Sequence, residues 1–397
     1  MIQQPLFPNI GVCALVSDRW DDTWQVRHHV LSRLARYFQV VWVNPARGWR
    51  EILRGSTGQN LPNGETSHPS GLTIYDPEWW LPIFYRPKWL AGCTYDARLR
   101  RARRLLTDRG CRKIVLYLWR PEFRAAVHSI PFDLSCYHID DEYSFSEIEG
   151  FSDPGEIALI SEVGQVIIHS SGLLERKGRI NPNTAFVPNG VDFQAYAKAT
   201  PEPHDLLSIP HPRIGYTGVL KRQLDWSLIL EMTQRQPGWS FVFVGPQTSH
   251  EDILPAIREL YDRPNVYFLG RKSVQKLTAY PQHFDVCIMP YRVDCYTNSI
   301  YPLKLHEYLA SGRPVVGSPI RSVRDFADVV ALPSTFQEWS AAITVALSPD
   351  ANAAERRAAR QAVAQQHDWE ILVAKIAKTM AQRLGPEFAD RVVKSTG

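Results

Sequence analysis

Residues 301–316, YPLKLHEYLASGRPVV, hold a loop, a helix, a turn and a strand in one short stretch. Pro302 suits the first helical position, because its fixed φ fits the helix and its missing N–H would have no partner there. Leu305, Tyr308 and Leu309 recur at helical spacing, and Gly312 ends the run. The apolar stretch 284–291 (FDVCIMPY) before it and PVVG from 314 after it both read as strands. Two strands joined by so short a crossover helix make a parallel βαβ unit, and a parallel sheet needs helices on both faces. The chain around it is therefore α/β. Lys304 and Glu307 share the non-core face of this helix. Its start lies beyond a strand's carboxyl end, where unpaired N–H groups and partial positive charge suit a phosphate, and Lys304 adds a full charge. Glu307, about one turn deeper, suits sugar hydroxyls, as acidic residues hold ribose in dinucleotide folds. Any amphipathic helix can carry such a pair as a weak surface ion pair, so the rest of the chain has to decide.

The length of 397 residues leaves room for two or three domains, and 44% hydrophobic with 22% charged residues is ordinary for a globular chain. Net charge is +4, and residues 1–200 carry 23 Lys and Arg against 21 Asp and Glu, so no half is a basic nucleic-acid module. The six cysteines form no CxxC pair, and four lie in or beside apolar runs as small hydrophobes, which points to a reducing cytoplasm. The start MIQQPLFPNIGVCALV lacks a basic leader, and no run reaches about 18 apolar residues, so no spanning segment is expected.

In the first half, 10–16 reads as a buried strand, SDRWDDTW as a loop, 23–37 as a helix and 40–43 as the next strand. Ligands of doubly wound sheets sit at the carboxyl ends of strands, so Asp18, Arg19, Trp20, Asp22 and Trp24 are candidates to face a cleft. Asp21 or Asp22 as a simple helix cap is the competing reading. Arg27, His28 and His29 fall in the helix's first turns, where histidines are usually packed. The polar, glycine- and proline-rich stretch 55–70 is a loop and a candidate lid. The segment DPEWWLPIFYRPKWLAG gathers Trp79, Trp80, Phe84, Tyr85 and Trp89, suited to sugar rings, to lipid or to a loop folded on its own core. DARLRRARRLLTDRG reads as a short basic helix with an apolar stripe of Leu99, Ala102, Leu105 and Leu106, fit for an anionic membrane face or simply solvated. Strands follow at 113–119, 134–139, 163–169 and 186–192, the last ending in an Asn-Gly turn. Asp140 and Asp141 stand at a strand's carboxyl end, where two adjacent, shielded charges raise one another's pKa toward the range of a general base. Capping of the following turn is the alternative, and His138 is a weaker candidate.

KATPEPHDLLSIPHP, from 198, reads as a linker. A second α/β cycle follows: a strand at 213–216, a loop with Lys221 and Arg222, a helix, then strands at 241–245, 266–270 and 284–291. Lys221 or Arg222 is placed to reach the phosphates of Lys304. Two doubly wound domains, 1–197 and 205–369, are expected to face across a cleft, with a C-terminal helix at about 370–397 packing back on the first.

FVPNGVD, GYTGVL, FVGP, FLG before a basic pair, and PLKLHEYLASGRPVV, in this order, resemble the GT-B glycosyltransferases. The nearest likeness is to family 4 and its bacterial relatives that build surface polysaccharides, including teichuronic-acid-type transferases. It covers about 160–375 well, and residues 1–150 only in strand order and in the YHIDD strand end. The resemblance implies a nucleoside-diphosphate sugar in the second domain, a glycan or lipid-linked acceptor at the first, and neither metal nor other cofactor; the chain contains no D-x-D triplet. It assigns the ribose to Glu307, the diphosphate to Lys304 and the helix start, the base to the border of Gly270 and Arg271, and the closing phosphate loop to Gly218, Lys221 and Arg222, with Gly245 in the FVGP turn. Relatives that retain anomeric configuration carry a second glutamate eight positions before the ribose glutamate. Here that position is Ser299, with Thr297, Asn298 and Ser299 left to bond the donor sugar. Retention and inversion both stay open, and inversion would need a base among Asp140, Asp141 and Asp22.

The expectation is a cytoplasmic glycosyltransferase of polysaccharide assembly, in peripheral contact with the inner face of the membrane and without nucleic-acid partners. A sugar-nucleotide 2-epimerase of the same fold and an inactive nucleotide-sugar-binding assembly protein are the alternatives.

Overall fold

The computed structural model describes residues 4–22, 24–53, 64–67, 71–143, 145–146, 150–151, 153–248, 253–388 and 391–392. The chain divides into two units: Met1–His169, Leu173–Val187 and Glu370–Gly397 form the first, and Ser170–Gly172 with Pro188–Trp369 the second. Most of the candidate lid at 55–70 lies outside the described residues, as does Thr23.

The strands of the first unit are β1 (Phe7–Leu15), β2 (Phe38–Val43), β3 (Gly64–Ser67), β4 (Thr73–Asp76), β5 (Lys113–Leu118), β6 (Leu134–Ile139), a short hairpin of β7 (Phe145–Ser146) and β8 (Gly150–Phe151), β9 (Gln165–Ile168) and β10 (Thr184–Phe186). Eight form one sheet in the order β10-β9-β6-β5-β1-β2-β4-β3. Neighbours are parallel except β3, which runs antiparallel to β4 at the edge. Central strands such as β1 and β5 are buried along most of their length, as parallel strands covered on both faces must be. The β3–β4 pair escapes the sequence patterning because each strand is four residues long beside a polar loop.

Four sequence expectations change here. The first helix runs Val26–Leu34 and is capped by Gln25 in a capping box with His28, so neither Asp21 nor Asp22 caps it. The basic helix is longer than its apolar stripe, running Lys88–Thr107 from a Pro87 cap. Its Leu99, Ala102, Leu105 and Leu106 are buried in the core of the first unit, so the stripe is not a membrane face. The strand expected at 186–192 stops at Phe186, just short of Pro188, which lacks a donor for the ladder. The last helix, Trp369–Leu384, buries Val373, Ile376, Ala377 and Met380, and Lys113 Nζ donates to the Leu384 carbonyl at 2.5 Å.

The second unit holds β11 (Arg213–Thr217), β12 (Ser240–Val244), β13 (Val266–Gly270), β14 (Val286–Met289) and β15 (Val315–Gly317), parallel in the order β13-β12-β11-β14-β15. The 198–212 stretch is not a free linker. Leu206 and Ile209 are buried in this unit's core, and Arg213 donates to both of their carbonyls at 2.8 and 2.9 Å. Proline breaks regular structure without preventing burial, which is why composition misled.

Candidate active site

The helix expected in 301–316 runs Leu303–Ser311 between β14 and β15. Pro302 is its cap, one position earlier in the helix scheme than expected, and Gly312 stops it in the left-handed conformation at φ 76°. Leu305, Tyr308 and Leu309 are buried beneath it, which leaves Lys304 and Glu307 on the half-exposed face.

Lys304 is held in place by aromatic side chains from the ends of two strands. Its Nζ donates to the Tyr291 hydroxyl at 2.8 Å, just past β14, and lies 5.4 Å from the Tyr291 ring and 5.1 Å from the ring of Tyr216, within β11. Such cation–π contacts hold an ammonium without neutralising it. The loop after β11 comes to the same point. A Cβ on Gly218 would stand 3.1 Å from Lys304 Cε, and one on Gly245 would collide with the Gly218 carbonyl at 2.0 Å. Gly245, at φ 155°, therefore lets the ends of β11 and β12 close together beside the lysine. Further along, Asp225 N–H donates to the Pro290 carbonyl and Arg292 N–H to the Gln223 carbonyl, so the 218–225 loop that carries the half-buried Lys221 and Arg222 is tied to the residues following β14.

Glu307 is hydrogen-bonded by Tyr196, and burial raises its carboxyl above the ordinary range, against the pull of Lys304 and Tyr196. Tyr308 accepts the Thr217 N–H at 2.7 Å and so fixes the end of β11 against the helix. Asn189, from the FVPNGVD run, donates to the Tyr301 carbonyl at 2.8 Å and anchors the approach to the helix start. Gly218, Gly245, Lys304 and Glu307 are thus brought together. Gly270 and Arg271 end β13 at the far edge of the sheet, exposed, with open space where a Gly270 side chain would be.

The loop before the helix behaves differently. Thr297 Oγ1 donates to the Arg292 carbonyl at 2.7 Å, Asn298 Oδ1 accepts the Arg321 N–H at 2.9 Å, and Ser299 Oγ donates to the Cys295 carbonyl at 2.8 Å. Thr297 and Ser299 are fully buried. Thr297 and Ser299 thus bond within the loop, and Asn298 ties it to the start of the Arg321–Arg324 helix.

Sequence reasoning did not single out Tyr196, Tyr216 or Tyr291. For Tyr216 and Tyr291 the available signal was an aromatic residue at or just past a strand's carboxyl end; Tyr196 lies in the short helix Phe193–Ala197, where no such signal exists. Replacing Tyr291 with Phe keeps one ring and removes the hydrogen bond to Lys304, and affinity for the nucleoside diphosphate that the sequence resemblance implies is expected to fall about 5- to 10-fold in calorimetry. Unchanged affinity would show that the rings alone position the lysine.

In the first unit Asp140 stands directly after β6 with a side chain 6% exposed. Arg27 donates to it at 2.9 Å, the Tyr143 hydroxyl donates to its other oxygen, and Arg27 also pairs with Asp18. Burial, more than the charge of Asp141, pushes the Asp140 carboxyl up to about 6. The pairwise repulsion read from sequence is thus a minor cause. Asp141 is half-buried and accepts the Glu142 N–H at 2.8 Å, as a turn-capping residue does. Asp22 is exposed and accepts the Arg19 N–H at 2.8 Å, closing a turn. His138 stacks on Trp119 at 4.2 Å, and burial keeps its imidazole well below its ordinary pKa, hence neutral. His28 packs among Trp20, Trp24 and Trp42. Among the described residues no three His, Cys, Asp or Glu side chains are grouped to hold a metal ion, and no helix is long and apolar enough to cross a membrane.

Residues 211–348, which contain the Lys304–Glu307 helix and all five strands of the second unit, match the family described as Glycosyl transferases group 1. A Bacillus subtilis (strain 168) protein, TuaH, provisionally named a teichuronic acid biosynthesis glycosyltransferase, is 34% identical over 138 residues. That match covers 34% of this chain and 34% of TuaH, so the chain spans about a third of that relative's length. Among solved structures, sucrose-phosphate synthase from Thermosynechococcus elongatus superposes with a TM-score of 0.70 at 16% identity, over 94% of this chain and 98% of that one. Anabaena HepE in complex with UDP and glucose gives 0.65 at 14% identity, over 94% and 99%. The E. coli trehalose-6-phosphate structure bound with UDP-2-fluoro glucose gives 0.66 at 14%, over 95% and 99%. Residues 211–348 of this chain are thus similar to the group 1 glycosyl transferases, and the chain as a whole shares the fold of these structures, GT-B.

Proposed function

We propose that the protein moves a sugar from a nucleoside-diphosphate sugar to a glycan or lipid-linked acceptor in polysaccharide assembly, without a metal ion, in the cytoplasm at the inner face of a membrane. The observation that carries this reading is Lys304, held by Tyr291 and Tyr216 at the start of the Leu303–Ser311 helix with Glu307 one turn behind it. A departing diphosphate gathers negative charge, and a fixed ammonium at a helix start stabilises that charge without reorganising during the reaction. Glu307 takes the ribose hydroxyls, Lys221 and Arg222 close over the phosphates, and Gly270 with Arg271 borders the base. Asp140 receives the acceptor proton: a carboxyl raised to about 6 is ionised at neutral pH yet a stronger base than an ordinary carboxylate. The relatives' complexes with UDP and glucose and with UDP-2-fluoro glucose support a nucleoside diphosphate donor.

A thermal-shift screen against UDP, GDP, ADP and CDP sugars tests the reading, since a ligand bound only by the native state raises the melting temperature. Acceptor-dependent release of nucleotide supports transfer. Acceptor-free release points to epimerisation or hydrolysis, and binding without turnover to an assembly protein. Glu307→Ala is expected to weaken binding of the nucleotide identified in the screen about 10- to 100-fold in calorimetry, as lost hydrogen bonds to a charged group do. Wild-type affinity would remove Glu307 from the ribose site.

A further inference from the structure

The donor site makes no use of the aromatic segment 79–93, WWLPIFYRPKWLAGC. Trp79, Trp80, Tyr85 and Trp89 are 51%, 57%, 70% and 68% exposed, and Arg86 and Lys88 among them are exposed too. The segment is nonetheless fixed. Buried Arg98 donates to the carbonyls of Leu81 and Pro82 at 2.8 and 2.9 Å, and Ile83 N–H donates to the Arg47 carbonyl at 2.8 Å. It leaves the carboxyl end of β4, which is parallel to β2, so it emerges at the sheet edge where Asp140 follows β6.

Four large rings held in water by a rigid backbone need a partner, and the neighbouring residues say which kind. Between 79 and 93 there is no Asp, Glu, Asn, Gln, Ser or Thr, so the segment lacks the carboxylate and amide side chains that accept from sugar hydroxyls. A second copy docking through the same patch would set Arg86 and Lys88 against their own equivalents. A bilayer surface fits both features: Trp and Tyr settle at headgroup depth, and Arg and Lys meet lipid phosphates.

We propose that residues 79–89 dock the first unit on an anionic lipid bilayer, with the rings in the headgroup layer and Arg86 and Lys88 on lipid phosphates. Resting on the transferase reading, this surface brings the Asp140 edge of the sheet to the bilayer from which a lipid-linked acceptor is drawn.

The full chain is sedimented with vesicles of phosphatidylcholine alone and of phosphatidylcholine with phosphatidylglycerol. Binding is expected on the anionic vesicles and is expected to weaken with salt. Trp80→Ser with Trp89→Ser should lower it at least about tenfold, and Arg86→Gln with Lys88→Gln should abolish the preference for phosphatidylglycerol. All four residues are exposed, so the variants should melt with the wild type. The proposal is overturned if the wild type ignores anionic vesicles, if the tryptophan variant binds them equally, or if the same substitutions convert a dimer to a monomer in sedimentation velocity. The transferase reading fails separately: it falls if no nucleoside diphosphate sugar raises the melting temperature, and vesicle binding does not depend on that result.

Discussion

Lys304→Ala should lower kcat/KM for sugar transfer by about 10²- to 10³-fold, the loss expected when one fixed donor to a developing anion is removed. Nucleoside diphosphate binding should also weaken, because the ammonium meets the diphosphate in both states. Lys304→Arg is the informative companion. A guanidinium is longer and planar, and the space here is bounded by the Tyr216 and Tyr291 rings and by Gly218, where even a Cβ would stand 3.1 Å from Lys304 Cε. Arginine is therefore expected to recover charge without position, restoring affinity more than turnover. Steady-state kinetics with calorimetry on both variants checks this, and wild-type turnover in Lys304→Ala would end the assignment of the diphosphate to this helix.

Asp140→Asn should cut turnover by about 10²- to 10⁴-fold and leave nucleotide affinity unchanged. Its pH behaviour separates loss of a base from damage to the fold. With the carboxyl at about 6, wild-type kcat/KM should rise through that pH and level off above it, and the residual activity of the Asn variant should lack this limb. Arg27→Met should move the limb upward, because Arg27 holds the Asp140 carboxyl down against burial. Stability carries the opposite sign. A carboxyl whose folded pKa lies above its ordinary 3.8 favours the folded state while protonated, and that contribution is lost as pH rises through about 6. The Asn variant cannot ionise, so its unfolding free energy should gain on the wild type between pH 4 and pH 8, by at most about 3 kcal/mol for a shift of this size. Full activity in Asp140→Asn would instead send the acceptor proton to the departing diphosphate.

Much of the Lys304–Glu307 site is legible in the chain because its signals are local. Pro302, the spacing of Leu305, Tyr308 and Leu309, and Gly312 report backbone conformation and burial within a few residues of themselves, and the helix they mark runs Leu303–Ser311. The position of Ser299 could be counted from Glu307, but its meaning could not. Only the folded loop turns its hydroxyl onto the Cys295 carbonyl and buries it. The stripe on the basic helix fits a membrane face or a solvated one by sequence, because its partners in the core, among them Cys111 and Ile114, lie on a separate strand and its approach. Conversely, the rings between 79 and 89 fit a buried loop equally well by composition, and their exposure depends on how Arg98 pins the backbone beneath them.

By itself the sequence determined that the chain is built from two α/β units and that Lys304 and Glu307 share one helix face near a strand end, since period and punctuation follow from local sterics and the hydrophobic effect. Tertiary structure alone decided that Tyr291 and Tyr216 hold the lysine, that Tyr196 meets Glu307, and that burial more than Asp141 pushes the Asp140 carboxyl up to about 6. Those properties come from desolvation and from contacts between residues far apart in the chain, and neither exists until the chain has folded.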